Sequence, residues 1–408
     1  MNEANKGVSR RRFLEVVGAA GIGSVIGSKV FAEPNDPNGQ KEQSDQTLEL
    51  PKRKLGKTGV EISSLALGVA FNAVDNQIIL RKAVDWGVTC WDTSSMYENG
   101  NSELGIGKFL EKNPDVRKKL FLITKASGAK NVEDIEKHLQ ASMGRMKTNY
   151  IDLFFGVHGL SNPAQLNDEM KKWVEKAKER KVIKYFGFST HINVADCLMG
   201  ASKLDWIDAA MPIYNFRVMQ DKKLTDAVQA CYDTGVGIIA MKTQGKEITP
   251  NEADKKLMEH FSAKGFTPGQ AKIKIVLEDK RIAAACVGRG DIAHLKQNVA
   301  AVLDKTELTQ LDREVFKNYA AETCSGYCAG CANICNSLVA DVPVSDVLRY
   351  LMYYNSFGDT QTACQLFAEI PQQTRDKMLT ADYAAAESRC PQRLPIARFM
   401  SQAVRTLA

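Results

Sequence analysis

Trp91-Asp92-Thr93-Ser94-Ser95-Met96-Tyr97 decides how the rest of this chain reads. With Cys90 ahead of it, the segment is a short apolar run that ends on a carboxylate and turns into a loop carrying a tyrosine. The form recurs downstream, where Phe121-Leu122-Ile123-Thr124 delivers Lys125 and Ile151-Asp152-Leu153-Phe154-Phe155-Gly156-Val157 delivers His158. Such runs read as buried strands. Between them apolar residues recur at helical spacing: Val132, Ile135, Leu139, Met143 and Met146, then Met170, Trp173, Val174 and Ala177. Strands alternating with helices imply right-handed crossovers and a parallel sheet. In a closed eightfold barrel, side chains just past successive strands converge on one mouth, where barrels of this kind hold their chemistry. Singly, a strand-end lysine is a solvated charge, a histidine a structural one and a buried tyrosine core. Their joint order and spacing make Asp92, Tyr97, Lys125 and His158 one candidate site.

At 408 residues, the chain accommodates a barrel of about 250 residues with a further module beside it. Residues 1 to 32 hold five Lys/Arg against two Asp/Glu, half of the net +6. The remainder is near neutral and has no basic run, which leaves no footprint for nucleic acid.

The amino terminus reads as an export signal. Ser9-Arg10-Arg11-Arg12-Phe13-Leu14 is a twin-arginine pattern, with Glu15 where lysine is common, and an uncharged Gly/Ala-rich stretch follows from Val16 to Gly27. That stretch is short of the ~20 apolar residues of a membrane span. Val30-Phe31-Ala32 offers a small-residue cleavage site. A basic tail leading into a helix, or an uncleaved membrane tether, fits the same residues. Residues 33 to 50, polar and with Pro34 and Pro37, read as a flexible linker.

Together with Ser102-Glu103-Leu104-Gly105, the tetrad segments resemble the aldo-keto reductase family over roughly residues 52 to 303. The resemblance implies an α/β fold, a (β/α)8 TIM barrel, and hydride transfer between NAD or NADP and a small carbonyl or alcohol, sugars included. It makes Tyr97 the general acid/base, Lys125 the cation that brings the phenol's pKa of about 10 toward neutrality, Asp92 the group orienting that lysine, and His158 a donor to the substrate oxygen. It also implies cofactor contacts. Ser189 and Thr190, in Gly187-Phe188-Ser189-Thr190, look like the Gly-x-Ser-Asn segment that holds the carboxamide, with Thr in place of Asn. Gly68, Asn215 and Lys242 sit at strand ends, and Gly288, Arg289, Gln297 and Asn298 lie in a Gly-rich turn and helix start suited to phosphate. His294 stands where the family often has an arginine, so NAD and NADP both stay open.

Ten cysteines are present. Cys90, Cys197, Cys231, Cys286 and Cys364 read as small buried thiols. Cys324, Cys328, Cys331 and Cys335 form C-x3-C-x2-C-x3-C, and Cys390-Pro391 follows later. The run resembles the ferredoxin-like [4Fe–4S] module of some bacterial aldo-keto reductases, although its first gap is one residue longer and Asn336 replaces a proline. In two-cluster ferredoxins the fourth Cys of a run serves the other cluster. On that likeness Cys324, Cys328, Cys331 and Cys390 are the favoured ligands and Cys335 the spare or alternative fourth. Tetrathiolate zinc and disulfides are rival uses of these thiols, though twin-arginine export carries folded chains and so suits a centre inserted beforehand.

The expected layout is a signal peptide over 1–32, a linker over 33–50, the barrel over 51–315 and a helical ferredoxin-like domain over 316–408. The expected location is the periplasm, and the expected partners are a small-molecule substrate, the twin-arginine export machinery and a redox partner protein. Because free nicotinamide is not expected outside the cytoplasm, a second class stays open: an exported electron-transfer or scaffold protein with a non-catalytic barrel.

Overall fold

The computed structural model describes residues 10, 13–14, 48–245, 252–288 and 290–408. A hairpin of β1 (Lys52–Lys54) and β2 (Glu61–Ser63) precedes eight parallel strands: β3 (Leu65–Gly68), β4 (Cys90–Asp92), β5 (Phe121–Lys125), β6 (Ile151–His158), β7 (Ile183–Thr190), β8 (Ala209–Pro212), β9 (Gly237–Ala240) and β10 (Ile282–Val287). They pair in chain order, and β10 closes onto β3 through Ala285↔Leu65, Cys286↔Ala66 and Val287↔Leu67. The (β/α)8 barrel is therefore complete. Every residue of β4 and β5 is buried, as parallel strands covered on both faces should be. Gly68 and Gly288 meet at the closing seam, where Gly288 lies so near the Gly68 backbone that a Cβ would not fit.

The outer helices are α1 (Gln77–Asp85), α2 (Asn101–Lys112), α3 (Val132–Met146), α4 (Asp168–Glu179), α5 (Val194–Ala201), α6 (Lys222–Asp233), α7 (Ala253–Ser262), α8 (Pro268–Glu278), α9 (Ile292–Leu303) and α10 (Gln310–Glu322). Asn131, Asn167 and Asp221 cap α3, α4 and α6 by accepting a backbone N–H, which fixes where each strand-to-helix loop ends. The periodic residues face inward: Ile135, Leu139, Met143 and Met146 of α3 and Met170, Val174 and Ala177 of α4 are buried.

The carboxy-terminal region is helical: α11 (Ala332–Cys335), α12 (Val344–Met352), α13 (Thr360–Ala368), α14 (Gln372–Lys377), α15 (Ala384–Arg389) and α16 (Ile396–Leu407). One π turn, Tyr353–Phe357, extends α12. The boundary expected after residue 315 falls inside α10, which is continuous, and the apolar residues of this region join those of the barrel in one core. The reason is its position over the barrel mouth. Asn193 N–H donates to Gly330 O at 2.9 Å, Asn215 Nδ2 donates to Tyr327 Oη at 2.9 Å, and Gln365 Nε2 donates to Asn99 Oδ1 at 3.1 Å.

At the other terminus, Arg10 pairs with Asp304 at 2.9 Å and Phe13 sits edge-on to Trp86. Leu48 and Leu50, the end of the expected linker, are buried. The remainder of the signal, its cleavage site at Ala32 and most of the linker lie outside the described residues. Among the described residues, no helix is long and apolar enough to cross a membrane.

Candidate active site

Asp92, Lys125 and His158 are the last residues of adjacent strands β4, β5 and β6, so sheet register alone brings them together. Lys125 Nζ donates to both Asp92 carboxylate oxygens at 2.7 Å, to Thr93 O at 2.8 Å and to Tyr97 Oη at 3.3 Å. Asp92 is 3% exposed and Lys125 1% exposed, so neither is solvated in its own right. The Tyr97 and His158 rings meet edge-on with centroids 6.5 Å apart. All four residues singled out in the sequence share one site.

Burial pushes the Asp92 carboxyl above its usual range, and Lys125 offsets part of that effect. The tyrosine departs from expectation. Burial, followed by the Asp92 charge, lifts its phenol well above the ordinary value. The direction of the shift leaves Tyr97 a neutral phenol with its hydroxyl beside the Lys125 ammonium. Burial, then Lys125, Arg349 and Lys242, push the His158 imidazole well below its usual range, which keeps the ring neutral.

Two serines that sequence reasoning missed set the histidine. Ser127 Oγ lies 2.7 Å from His158 Nδ1, and Ser94 Oγ lies 2.6 Å from Ser127 Oγ. The Ser94–Ser127 pair thereby holds the imidazole ring in place beside Tyr97. Both serines stand two residues beyond a strand-end tetrad member, and that spacing is the only sequence signal they give. Behind the strands, buried Glu103 accepts from Thr124 Oγ1 at 2.5 Å and from Arg145 Nε at 2.6 Å.

The residues expected to hold a cofactor divide. Ser189 is fully buried and directly opposite His158 in the β6–β7 ladder, and its hydroxyl accepts from Gly159 N–H at 3.3 Å, leaving its own proton to give. Thr190 Oγ1 is engaged with Leu160 O and Ile192 O. Asn215 is used up by the fold: its amide donates to Lys242 O and Tyr327 Oη, and Arg217 N–H donates to its Oδ1. Lys242 faces the carboxy-terminal helices, with its ammonium 4.3 Å from the Tyr353 and Phe357 ring centroids. Gly68 and Gly288 serve the barrel seam. Asn298 is buried in α9, the Gln297 side chain is exposed, and Arg289 lies outside the described residues. Asp291 caps α9 and also pairs with His294, so a protein carboxylate already occupies that helix start.

The cysteines assort differently from the favoured set. Cys328, Cys331, Cys335 and Cys390 line one hollow walled by Leu348, Pro391, Leu394 and Ile396. Cys324 lies instead in a turn after α10, near Arg217. Asn215 holds Tyr327 on the barrel and the chain reverses at Gly330, while the short helix α11 sets Cys335 four residues beyond Cys331 on the same face. Burial, with the neighbouring thiols, pushes Cys328 up to about 12 and Cys335 up to about 11. Among the described residues, no group of three or more His, Cys, Asp or Glu is arranged to hold a metal ion.

Comparison with known proteins follows the same lines. L-galactose dehydrogenase of Arabidopsis thaliana is 23% identical over 301 residues, covering 66% of this chain and 93% of the plant protein. L-glyceraldehyde 3-phosphate reductase of Escherichia coli O157:H7 is 26% identical over 322 residues, covering 64% and 92%. The holo form of the aldo-keto reductase AKR11C1 from Bacillus halodurans superposes with a TM-score of 0.55 at 21% identity, covering 66% of this chain and 96% of that one, a likeness of fold. The model of the aldo/keto reductase family matches residues 64–315, well over half of the sequence and all eight barrel strands, and the chain belongs to that family.

Proposed function

We propose that this chain is a nicotinamide-dependent oxidoreductase that interconverts a small carbonyl and its alcohol, with Tyr97 as general acid and base. The observation that carries the reading is the contact chain Asp92–Lys125–Tyr97 beside a neutral His158. Reduction places negative charge on the carbonyl oxygen, and a donor must stand against it. Tyr97 gives its proton, Lys125 stabilises the phenolate left behind, Asp92 holds that lysine in place, and His158 orients the oxygen. Ser189, opposite His158, retains a free donor and fits the carboxamide of a nicotinamide, which supplies the hydride when bound.

We further propose an iron–sulfur centre on Cys328, Cys331, Cys335 and Cys390. Four thiols around an apolar hollow suit a polynuclear cluster, whose ligands stand apart, better than a single tetrahedral zinc. Burial disfavours the free thiolates, so a cationic centre is what would let them ionise together. Export through the amino-terminal twin-arginine segment, to the periplasm and with a redox partner there, belongs to the same reading.

A second reading has one observation in its favour. Asn215 and Thr190 are engaged within the protein, and Tyr353 and Phe357 stand over Lys242 at the mouth, as in a scaffold that turns nothing over. Fluorescence titration with NADH and NADPH, paired with turnover across small aldehydes, ketones and sugars, separates the two. Wild-type protein should bind at least one nucleotide. Tyr97→Phe should keep that binding while turnover falls by roughly 10²- to 10⁴-fold. Binding of neither nucleotide by purified, reduced protein removes the oxidoreductase reading.

A further inference from the structure

Three residues of the amino-terminal run Ser9-Arg10-Arg11-Arg12-Phe13-Leu14 lie against the folded barrel. Arg10 Nη1 donates to Asp304 Oδ2 at 2.9 Å, its Nη2 donates to the Gly265 carbonyl, and the guanidinium stands over the Phe266 ring, 4.7 Å from the centroid. Phe13 is 3% exposed and edge-on to Trp86 with centroids 5.4 Å apart, and Leu14 packs on the same core. All three are helical and spaced i, i+3 and i+4, so they share one helix face, and that face is turned to the barrel.

The surface they meet exists only once the barrel has folded. Trp86 follows α1, Phe266 lies between α7 and α8, and Asp304 follows α9, while closure of β10 onto β3 sets α9 beside α1. Trp86 stands four residues before β4 begins, at the opposite end of the barrel from the strand-end tetrad. Asp304 has no need of Arg10 for its own sake, because Lys274 Nζ already donates to its Oδ1 at 3.0 Å and to its carbonyl at 2.9 Å. A chain terminus is ordinarily left to solvent unless something ties it down. Here a carboxylate, a carbonyl and a ring receive the guanidinium, and an indole receives the phenyl ring, which is how a seated ligand is held.

We propose that this face of the barrel is a docking site for the chain's own amino-terminal segment, and that it competes with the export machinery for Arg10, Phe13 and Leu14. The competition rests on the twin-arginine reading; the docking does not. The residues seated on the barrel belong to the very pattern that marks the chain for export, so the two cannot be engaged at once. A folded chain therefore offers its motif only in the fraction of time for which the segment is released, and the machinery's apparent affinity falls by that fraction. Processing is slower than the bare motif allows, and a change that weakens the barrel's hold speeds it.

The test changes the barrel and leaves the signal alone. Asp304→Asn removes the charge that faces Arg10 but keeps an acceptor for the Thr306 N–H, and Phe266→Leu removes the ring. In the purified full-length chain, limited trypsin digestion followed by mass spectrometry should show cleavage after Arg10 about 10- to 100-fold faster in Asp304→Asn than in wild type, the worth of a charge-assisted hydrogen bond, and faster by a smaller factor in Phe266→Leu. Pulse-labelling in cells should show residues 1 to 32 lost sooner from both variants. A labelled peptide of residues 1 to 32 should bind the full-length chain carrying Arg10→Ala and Phe13→Ala, whose own segment no longer fills the surface, and bind about 10-fold more weakly or not at all once Asp304→Asn is added. Equal trypsin rates in the three proteins, or no peptide binding, overturn the docking. Faster cleavage with unchanged processing overturns the competition. Should Asp304→Asn fail to fold, Phe266→Leu and the peptide titration still decide. Docking without processing of any form, wild type included, leaves the surface standing and removes the twin-arginine reading.

Discussion

Replacing Lys125 with methionine should destabilise the barrel as well as stop catalysis, and the size of the loss can be worked from the contacts. The ammonium gives two hydrogen bonds to Asp92 and one to the Thr93 carbonyl, and the pair is all but sealed from water. Removing one partner of a buried ion pair costs about 3–5 kcal/mol, because the other charge is left uncompensated. The pH dependence gives the argument a sign. Burial already holds the folded-state pKa of Asp92 above its unfolded value, so the folded protein binds that proton more tightly than the unfolded chain does. Stability from this group is present at low pH and lost as pH rises through the carboxylate range. Without Lys125 the pKa climbs further and the loss deepens. Chemical denaturation followed by tryptophan fluorescence should therefore show Lys125→Met losing about 4 kcal/mol near neutrality and clearly less near pH 4. The double variant Lys125→Met/Asp92→Leu should recover most of the deficit, since an apolar pair of similar volume is commonly neutral in such a place, and it should remain inactive. A single-variant loss below about 1 kcal/mol at neutrality, a loss independent of pH, or a double variant no better than the single would each refute this account of the pair.

Protein purified anaerobically should be brown with about four irons per chain; Cys335→Ser and Cys390→Ser should bleach it, whereas Cys324→Ser should not, and the reverse for Cys324 and Cys335 would move the ligand set back to the run's first cysteine. Replacing both Arg10 and Arg11 with lysine should trap the chain in the cytoplasm with residues 1 to 32 attached, as fractionation and mass measurement would show; normal processing would dismiss the twin-arginine assignment.

The barrel and its tetrad were legible because strand ends impose their own geometry. Once β4, β5 and β6 are adjacent and parallel, Asp92, Lys125 and His158 have no other place to be. Ser94 and Ser127 carry no such imprint, since a serine two residues past a strand looks like any loop residue until the imidazole is placed beside it. How strongly burial acts on the Tyr97 phenol depends on its folded surroundings, which no local pattern of residues records. Favouring Cys324 over Cys335 followed a motif's spacing, whereas which thiols line the hollow depends on a tertiary contact, Asn215 to Tyr327, that holds the chain on the barrel just after Cys324. The contributions of Arg349, Tyr353 and Phe357 to the mouth depend on where a distant helix docks, and no local pattern records that.

Helix α12 has a double allegiance. Leu348 forms part of the wall of the cysteine hollow, while its neighbour Arg349 is felt at His158, and Tyr353, one turn farther on, reaches Lys242. Gly330, between Cys328 and Cys331, lies so close to the His191 carbonyl that no larger residue could stand there. The hollow and the mouth are thus opposite sides of one wall. On the proposed reading of the cysteines, filling the hollow and closing the barrel mouth become a single assembly step, since one helix forms part of both.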